Sequence, residues 1–273
     1  MSATLLAPTA RGSTAIVIGG VTVRLHASDP RFLQLIDERY TGFTADPAAA
    51  DYEFDVELTP PCHLAADADV RVWRTGQRWQ LERGDFHADW DPVTRRGCVR
   101  QSVNPYSIDS VLRIVHTLML ATSRTGFLLH AASAVRNGQA FLFSGVSGAG
   151  KTTISRLAPP DATLLTDELS YLRREAAGDY AYGTPFAGEL AKVGENVKAP
   201  LAAVFLLAQG PANRIDEMPR REATRALLRN VLFFAEDAEL VRRVFQMVCD
   251  FVERVPVRRL TFVPDARVWE LIR

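Results

Sequence analysis

The sequence predicts a mixed α/β (α+β) fold, in which a strand-rich antiparallel N-terminal module precedes a mixed sheet with flanking helices. Three observations carry this prediction. Apolar and polar residues alternate through most of the first hundred residues, which is typical of half-buried strands. From Ser107 the apolar residues recur at helical spacing instead. Farther along, an apolar strand runs directly into a glycine-rich loop and a helix start within residues 141–157.

Length and charge limit the classes of protein that fit this chain. Its 273 residues, 47% of them apolar, suffice for one large domain or two small ones. Lys plus Arg and Asp plus Glu each number 32, so no net field favours nucleic acid or an anionic membrane as a partner. The N-terminus lacks the pattern of a signal peptide, and no run reaches the 18 apolar residues of a membrane span. We therefore expect a cytoplasmic protein.

The N-terminal part is predicted to comprise a loose tail over residues 1–12 and the strand-rich module over residues 13–106. Residues 15–27 contain two apolar runs on either side of Gly19-Gly20, which is the pattern of a two-residue hairpin. Three further stretches continue the alternation and are broken by Thr-Gly and Gly-Asp turns. They read YEFDVELT, VRVWRTGQRWQLERGDFHADW and GCVRQSVN.

The second domain is predicted over residues 107–273. A helix is expected from about Ser107, with Asn104-Pro105 as its start signal. Two apolar strands, FLLHAASAV and QAFLFS, flank Asn137-Gly138, the strongest short hairpin signal. Strands are also expected at 162–166 and 201–208, a long loop or lid at 182–200, and helices at about 151–157, 220–234 and 236–255.

The stretch from Gly145 to Thr152 matches the Walker A pattern of a phosphate-binding loop. Between a strand and a helix start, glycines let backbone N–H groups face phosphate oxygens, and the helix dipole adds favourable potential. Lys151 is predicted to bind the β and γ phosphates of a nucleotide, and the Thr152 hydroxyl to bind Mg²⁺. The alternative is a glycine-rich surface turn with a solvated lysine. The predicted nucleotide-binding residues are Gly145, Val146, Ser147, Gly148, Ala149, Gly150, Lys151, Thr152 and Thr153.

Two acids follow the strand at 162–166 and indicate chemistry beside the loop. That strand is expected to run parallel to the strand before the loop, so Asp167 and Glu168 would emerge at the same carboxyl edge of the sheet. One acid can serve the metal, and the other can accept a proton from an incoming hydroxyl. Alternatively, both are helix-capping or solvated acids in a turn.

His130 is placed near the loop by the hairpin register. If Asn137-Gly138 forms a two-residue turn, Arg136 pairs with Gln139, and counting back puts His130 opposite Gly145. An imidazole there can contact the transferred phosphoryl group or help to move a proton. A bulge would spoil this count, and a lone histidine on an apolar strand is otherwise a hydrogen-bonded core residue.

Other polar residues carry weaker signals. The four other histidines lack metal-ligand spacing, and the three cysteines lack the number and spacing of a disulfide framework or zinc site, so buried thiols are expected. The arginines of the helix predicted at 220–234 can clamp phosphate, although the acids among them favour a solvated face. The residues concerned are His26, His63, His87, His116, Cys62, Cys98, Cys249, Arg220, Arg221, Arg225 and Arg229. Lys192 and Lys198 of the predicted lid are further candidates for the γ-phosphate.

Over residues 126–273, the combination HAASAVRNGQAFLFSGVSGAGKTT, LLTDELSYL and TPFAGELA resembles the catalytic domain of HPr kinase/phosphorylase and its relatives. The resemblance implies a phosphate-loop fold related to phosphoenolpyruvate carboxykinase. His130 matches the family's upstream histidine, residues 145–152 its phosphate loop, and Asp167-Glu168 its acidic pair. It further implies transfer of the γ-phosphate of ATP, with Mg²⁺, to a serine hydroxyl, and it makes a homo-oligomer plausible.

The sequence departs from HPr kinase at three places. Its second acid is Glu168 where the family usually has Asp, so the roles of base and metal ligand stay open between the two acids. The family's C-terminal glycine- and arginine-containing signature is not found, and the first 125 residues do not resemble the HPr kinase N-terminal domain. Reduced relatives are similar to kinases that phosphorylate a serine of a lasso-peptide precursor. We therefore expect a serine of a peptide or small protein as the acceptor.

Two other functions remain open from the sequence. A small-molecule or carboxykinase-like metabolite kinase would need a closed pocket with arginines near the γ-phosphate. A non-catalytic nucleotide-dependent switch or scaffold would bind ATP without transferring phosphate. The combination of Lys151, Thr152, Asp167 and Glu168 favours an enzyme over a switch, since a switch can dispense with a base.

Overall fold

The computed structural model describes residues 11–60, 68–188 and 193–273. The chain divides into two compact units between Val115 and His116. The boundary predicted at residues 106 and 107 lies at the start of the helix that contains this division. Both units combine strands with helices, so the mixed α/β (α+β) class is confirmed.

The described residues of the first unit form a seven-stranded sheet. Its strands are β1 (Gly12–Ile18), β2 (Val21–Ala27), β3 (Tyr52–Leu58), β4 (Arg71–Thr75), β5 (Arg78–Arg83), β6 (Phe86–Asp91) and β7 (Arg96–Gln101). Their order across the sheet is β1-β2-β3-β7-β6-β5-β4. Gly19 and Gly20, with φ of 60° and 76°, join β1 to β2 in the predicted two-residue hairpin.

The sheet of the first unit is mixed, so the prediction of an antiparallel module is wrong for two strand pairs. β3 runs parallel to both β2 and β7, whereas the other neighbours are antiparallel. The first parallel pair arises because helix α1 (Pro30–Arg39) carries the chain from β2 back across the sheet before β3. Asp29 caps this helix by accepting a hydrogen bond from Arg31 N–H, and Pro30 occupies its first turn.

Helix α2 (Tyr106–Ser123) contains the division between the units. Asn104 starts it, because the side-chain oxygen of Asn104 accepts hydrogen bonds from Tyr106 and Ser107 N–H at 2.9 and 3.0 Å. The helix predicted from the apolar spacing after Ser107 is therefore confirmed. Within the part of the chain that the structure describes, no helix is both long enough and apolar enough to cross a membrane.

The second unit is a mixed sheet arranged around two long strands. Its strands are β8 (Gly126–Arg136), β9 (Gln139–Ser144), β10 (Thr163–Thr166), β11 (Leu169–Glu175), β12 (Gly178–Tyr182), β13 (Lys198–Gln209), β14 (Arg214–Glu217), β15 (Val231–Leu232) and β16 (Val257–Phe262). The first half of β8 pairs with β11 and β15, and its second half with β10 and β9. β9 also runs parallel to β13, which continues the sheet to β16 and β14 on one side and to β12 on the other.

Among the described residues, three α-helices lie wholly within the second unit: α3 (Lys151–Arg156), α4 (Arg220–Leu228) and α5 (Ala238–Arg254). The helix predicted to run from residue 220 to 234 ends six residues early, because Val231 and Leu232 pair with β8 instead. α5 begins after Asp237, whose side chain accepts hydrogen bonds from two N–H groups of its first turn. The predicted start and end of α5 are thus correct to within two residues.

Alternate residues of β9 pack on opposite faces of the sheet, which fixes the strand ahead of the glycine-rich loop. Leu142 belongs to the core beneath α4 and α5. Phe143 belongs to a second core, together with Ile154 of α3 and Trp269 of the C-terminal 3₁₀ helix (Ala266–Leu271). Trp269 Nε1 donates to the Ile154 carbonyl at 3.1 Å. The strand before the loop and the helix after it are therefore held in the same apolar core.

Candidate functional site

The glycine-rich loop, residues 145–150, joins β9 to α3. Gly150 has a φ of 109°, and a Cβ at this position would lie 2.6 Å from the Phe262 ring, so only glycine fits. Val146, at the other end of the loop, is 70% exposed. α3 has only six residues, so its dipole is small, and any affinity for an anion rests mainly on the N–H groups of the loop and on Lys151.

Lys151 lies over the loop that precedes it. Its Nζ donates hydrogen bonds to the carbonyl oxygens of Gly145 at 3.0 Å and Val146 at 3.4 Å. Thr152 and Thr153 follow in the first turn of α3 and are half-buried. The ammonium group is therefore positioned at the mouth of the loop, where the Walker A pattern predicts the terminal phosphates.

The hairpin of β8 and β9 has the register that the sequence predicts. Arg136 pairs with Gln139, and the pairing continues without a bulge to Ala131 and Ser144. The pairing ends there, and continuing the count by one position predicts that His130 lies opposite Gly145. The backbone N–H of His130 donates to the Asn230 carbonyl at 2.7 Å. A role for the His130 imidazole in catalysis stays a prediction.

The acidic pair lies between β10 and β11, on the other side of β8. β10 and β9 are both antiparallel to β8, so they run in the same direction, and their carboxyl ends lie at one edge of the sheet as predicted. Asp167 is only 5% exposed and Glu168 is half-buried. Neither acid belongs to a helix, and the burial of Asp167 excludes the solvated-turn alternative for that residue.

The register across β8 shows how near the acids lie to the loop. Thr166 pairs with Ser133 and Leu169 pairs with His130, so Glu168 falls opposite Ala131. The Ala131 N–H donates to the Glu168 carbonyl at 3.0 Å. Ala131 is in turn the partner of Ser144, the last residue of β9 before the loop. The backbone of one strand therefore separates the acidic pair from the start of the loop.

Gly188 contacts the acidic pair, which sequence reasoning missed. Its N–H donates to Asp167 Oδ1 at 2.8 Å. A Cβ on Gly188 would lie 2.9 Å from Glu168 Cβ and 3.2 Å from Asp167 Oδ2, closer than side chains normally approach. The sequence signal for this contact was the glycine of the TPFAGELA stretch, which is part of the family resemblance. Nothing in its spacing predicts Asp167 as its partner.

The described part of the predicted lid is bound to β10. Thr184 N–H donates to the Leu165 carbonyl at 3.0 Å, and Glu195 N–H donates to the Leu164 carbonyl at 2.9 Å. A Cβ on Gly194 would lie 1.8 Å from the Leu165 carbonyl oxygen, so the chain approaches β10 as closely as backbone allows. Residues 189–192, which include the candidate Lys192, lie outside the described residues.

The residues predicted to hold Mg²⁺ are Thr152, Asp167 and Glu168. Within residues 11–60, 68–188 and 193–273, no three His, Cys, Asp or Glu side chains are grouped as metal ligands. Mg²⁺ in nucleotide sites commonly takes one or two carboxylates from the protein, and phosphate oxygens and water complete its octahedron. The carboxylates of Asp167 and Glu168 and the hydroxyl of Thr152 are therefore suitable ligands for this ion.

Lys198 is held away from the candidate site, so its suggested contact with a γ-phosphate is wrong. Its Nζ donates to Glu175 at 2.7 and 2.8 Å and lies 4.9 Å from the centre of the Tyr180 ring. The hydrogen bond to Glu175 raises the pKa of Lys198. β13 runs parallel to β9, with Leu201 opposite Ala140 and Leu206 opposite Ser144, so Lys198 lies at the opposite end of these strands from the glycine-rich loop.

The remaining candidate residues fall outside the loop and acidic pair. His116 is completely buried, and His87 is exposed. Cys98 and Cys249 are free and half-buried rather than fully buried. The arginines of α4 are exposed, as a solvated helix face requires, and Glu222 among them forms an ion pair with Arg259. His63 and Cys62 lie outside the described residues.

Comparison with known proteins places this chain in a family. Residues 99–273, well over half of the chain, match the family described as SynChlorMet cassette protein ScmC. The matched region includes the glycine-rich loop, the acidic pair and every described strand of the second unit. No curated protein matches the sequence. The chain therefore belongs to the family of the SynChlorMet cassette protein ScmC.

Proposed function

We propose that this chain is a kinase that transfers the γ-phosphate of ATP, with Mg²⁺, to a serine hydroxyl of a peptide or protein. The observation that carries the proposal is the convergence of four features at one edge of the second sheet. The features lie on three neighbouring strands. The loop with Lys151 follows β9, His130 is on β8, and the acids Asp167 and Glu168 follow β10. A phosphate clamp beside a carboxylate base is the arrangement that phosphoryl transfer requires.

The loop and Lys151 are proposed to hold the nucleotide. Lys151 Nζ bonds two loop carbonyls, and phosphate oxygens bound to the loop would give this cation stronger, charge-assisted partners. Gly150 keeps the loop close to Phe262 without a side chain between them. The other backbone N–H groups of residues 146–151 then provide donors for the phosphates, whereas the Ala149 N–H donates to the Val146 carbonyl.

Asp167 is proposed to act as the base. In the reaction, the serine oxygen forms a bond to the γ-phosphorus, the bond from that phosphorus to the ADP oxygen breaks, and the serine proton passes to Asp167. The Gly188 N–H fixes one oxygen of this carboxylate, which orients the group. Glu168 and Thr152 are the proposed Mg²⁺ ligands, and Mg²⁺ when bound neutralises negative charge on the phosphates.

We further propose that the second unit has the phosphate-loop fold of HPr kinase and its relatives. The order of features supports this proposal: a strand with His130, a tight hairpin, the glycine-rich loop, the acidic pair, and a return of the chain at Gly188. We propose a peptide or protein rather than a metabolite as the acceptor, and the 70% exposure of Val146 is consistent with a loop that a large acceptor can reach. The proposed partner is therefore a peptide or protein with a serine.

Phosphoryl transfer from γ-labelled ATP tests the proposal. The purified full chain is incubated with Mg²⁺ and a lysate of the organism that encodes it, and labelled products are separated by size. A labelled peptide or protein band is expected with the wild type and not with Lys151→Ala. Lys198→Ala is the matched control, since it removes a lysine that is paired with Glu175, and it should leave the labelling unchanged.

Other outcomes of this experiment point to the alternatives. Label that appears only in small molecules would make the chain a metabolite kinase. ATP binding without transfer to any acceptor would favour a nucleotide-dependent switch. Transfer at the wild-type rate by Lys151→Ala would overturn the proposed role of the loop.

Asp167→Asn separates binding from transfer. The amide has nearly the shape of the carboxylate but cannot take the serine proton, so a loss of transfer of at least about 100-fold is expected with ATP affinity nearly unchanged. ATP affinity is measured by calorimetry, and transfer is measured with the labelled band as acceptor. Equal transfer rates for the variant and the wild type would remove Asp167 as the base.

A further inference from the structure

A groove of about 840 Å³ runs between α4 and α5 in the second unit. We call it the α4–α5 groove, and its lining includes Arg221, Arg225, Leu228, Arg229, Phe245 and Cys249. None of them has been assigned a part in the proposed phosphoryl transfer. The groove is therefore a second feature of the same unit that needs an explanation.

One wall of the α4–α5 groove is cationic. Arg221, Arg225 and Arg229 follow one another at four-residue intervals, so they lie along one face of α4 and its C-terminal end. Among the described residues, no carboxylate forms an ion pair with any of the three. Glu222 also lines the groove, but its carboxylate forms an ion pair with Arg259, which is not part of the lining. The wall thus presents three positive charges to whatever enters the groove.

The facing wall is apolar. Phe245 and Cys249 of α5 are again four residues apart, and Phe245 is 52% exposed. Leu228 adds a half-buried apolar side chain from α4. A large aromatic side chain that is half in water beside a row of arginines is typical of a surface that binds another chain.

The groove residue Arg229 is next in sequence to a residue that contacts the candidate site. Arg229 is followed by Asn230, whose carbonyl accepts the hydrogen bond from the His130 backbone N–H. His130 is next to Ala131, which pairs with Ser144, the last residue before the glycine-rich loop. A segment bound beside Arg229 would therefore lie near the proposed site of phosphoryl transfer.

We propose that the α4–α5 groove binds an acidic segment with apolar side chains, carried by the peptide or protein that receives the phosphate. Charge complementarity favours this occupant, because three guanidinium groups that form no ion pair with any described carboxylate can bind carboxylates, and the exposed Phe245 ring can bind an apolar side chain. That the segment belongs to the acceptor rests on the proposed function. The proposal that the groove binds an acidic segment is independent of the proposed function.

A direct binding experiment without ATP tests the groove. The probe is a fluorescein-labelled peptide built from Glu, Leu and Ala, and its matched version has Gln in place of Glu. We expect fluorescence anisotropy to show binding of the acidic peptide, at least about 10-fold weaker binding of the Gln version, and weakening by salt. Arg225→Glu should weaken binding roughly 10-fold. Arg242→Glu, an equal charge change at an exposed residue of α5 that does not line the groove, should stay within about 2-fold of the wild type.

Alkylation of the two described cysteines locates the bound peptide. Cys249 lines the groove, whereas Cys98 is in the first unit, so N-ethylmaleimide should react more slowly with Cys249 when the peptide is bound and at an unchanged rate with Cys98. Mass spectrometry resolves the two sites. Protection of both thiols or of neither would contradict binding in the groove.

Two further results would overturn the proposal. The first is equal binding by wild type, Arg225→Glu and the milder Arg225→Gln, each shown to be folded by circular dichroism. The second is a wild-type dimer that Arg225→Glu converts to a monomer, since the groove would then bind a second copy of this chain. Peptide binding without any transfer in the labelling experiment would support the proposed groove and contradict the proposed kinase activity. Transfer without peptide binding would support the kinase activity and contradict the proposed role of the groove.

Discussion

At the scale of single residues, Gly188 determines how the acidic pair is held. Asp167 is almost completely buried, and a buried carboxylate is costly unless it accepts hydrogen bonds. The Gly188 N–H supplies one such bond at 2.8 Å. The donor can come this close because glycine has no side chain to contact Glu168 Cβ.

Gly188→Ala should therefore damage transfer without unfolding the chain. The new methyl group would lie 2.9 Å from Glu168 Cβ, so the segment must move away and lengthen the hydrogen bond to Asp167. We expect a loss of transfer of about 10-fold or more, since small misplacements of reacting groups have effects of this size. ATP affinity, measured by calorimetry, should change little. A variant with unchanged transfer would show that the contact with Asp167 does not matter to the reaction.

At the scale of elements, the hairpin of β8 and β9 sets the register of the site. Asn137 and Gly138 have φ of 52° and 75°, the left-handed conformation of a type I′ turn. Because this turn has only two residues, it fixes every pair back to Ala131 and Ser144. The turn thereby sets which β8 residue faces the loop, at a distance of seven residues.

Gly138→Ala tests how much the turn contributes to stability. A side chain in the left-handed region costs about 1–2 kcal/mol, so the free energy of unfolding should fall by about that amount. Urea unfolding followed by circular dichroism measures the change. Gln139→Ala is the matched control on the neighbouring exposed residue and should stay within about 0.5 kcal/mol of the wild type. A destabilisation of equal size in both variants would argue against a special role for the turn conformation.

The elements also show what the sequence could predict of the fold. Strong local signals held: the two hairpins at Gly19-Gly20 and Asn137-Gly138, helix α2 after Asn104, and the strand before the loop. Helix α1 was not predicted, although Asp29 and Pro30 form a helix start signal, and the parallel pairing of β3 with β2 was therefore not predicted either. The early end of α4 was missed because helix-compatible residues at 231–232 gain more from pairing with β8 than from continuing the helix.

The candidate site shows the same division between local and tertiary information. The loop residues and the acidic pair were visible from spacing, since each is a contiguous motif next to an apolar strand. The contacts of Gly188 with Asp167 and of Asn230 with His130 were not, because they join positions 21 and 100 residues apart through the folded sheet. Lys198 was a candidate for contact with the γ-phosphate, but it pairs with Glu175. This pairing depends on β11 and β13, which no local pattern brings together.

At the scale of the whole molecule, His116 links the stability of the fold to pH. It is completely buried, and neither ring nitrogen has a hydrogen-bond partner among the described residues. Its ring packs edge-on against Tyr171, with 5.6 Å between the centroids. Burial lowers the pKa of His116 to about 4, so the folded chain keeps it neutral where an unfolded chain would protonate it.

Stability should therefore fall as pH decreases from about 6.5 to about 4. In this range the unfolded state binds more protons than the folded state, so the free energy of unfolding decreases with falling pH. His116 alone should account for about 2 kcal/mol between pH 7 and pH 5. Urea unfolding at both pH values should show a smaller loss for His116→Leu than for the wild type. His87→Leu, at an exposed histidine, should follow the wild type, and identical losses in all three proteins would contradict this assignment.

The central position of β8 has a consequence for measuring ligand affinity. Strands border it on both edges, β11 and β15 along its first half, β10 and β9 along its second. Amide hydrogens in such a strand exchange with deuterium only when the surrounding sheet opens, so they report the free energy of the largest opening. A nucleotide that binds only the folded protein slows this exchange by the factor one plus its concentration over its Kd. Deuterium uptake at β8 can therefore give the affinity for ATP even in a variant that cannot react, such as Asp167→Asn.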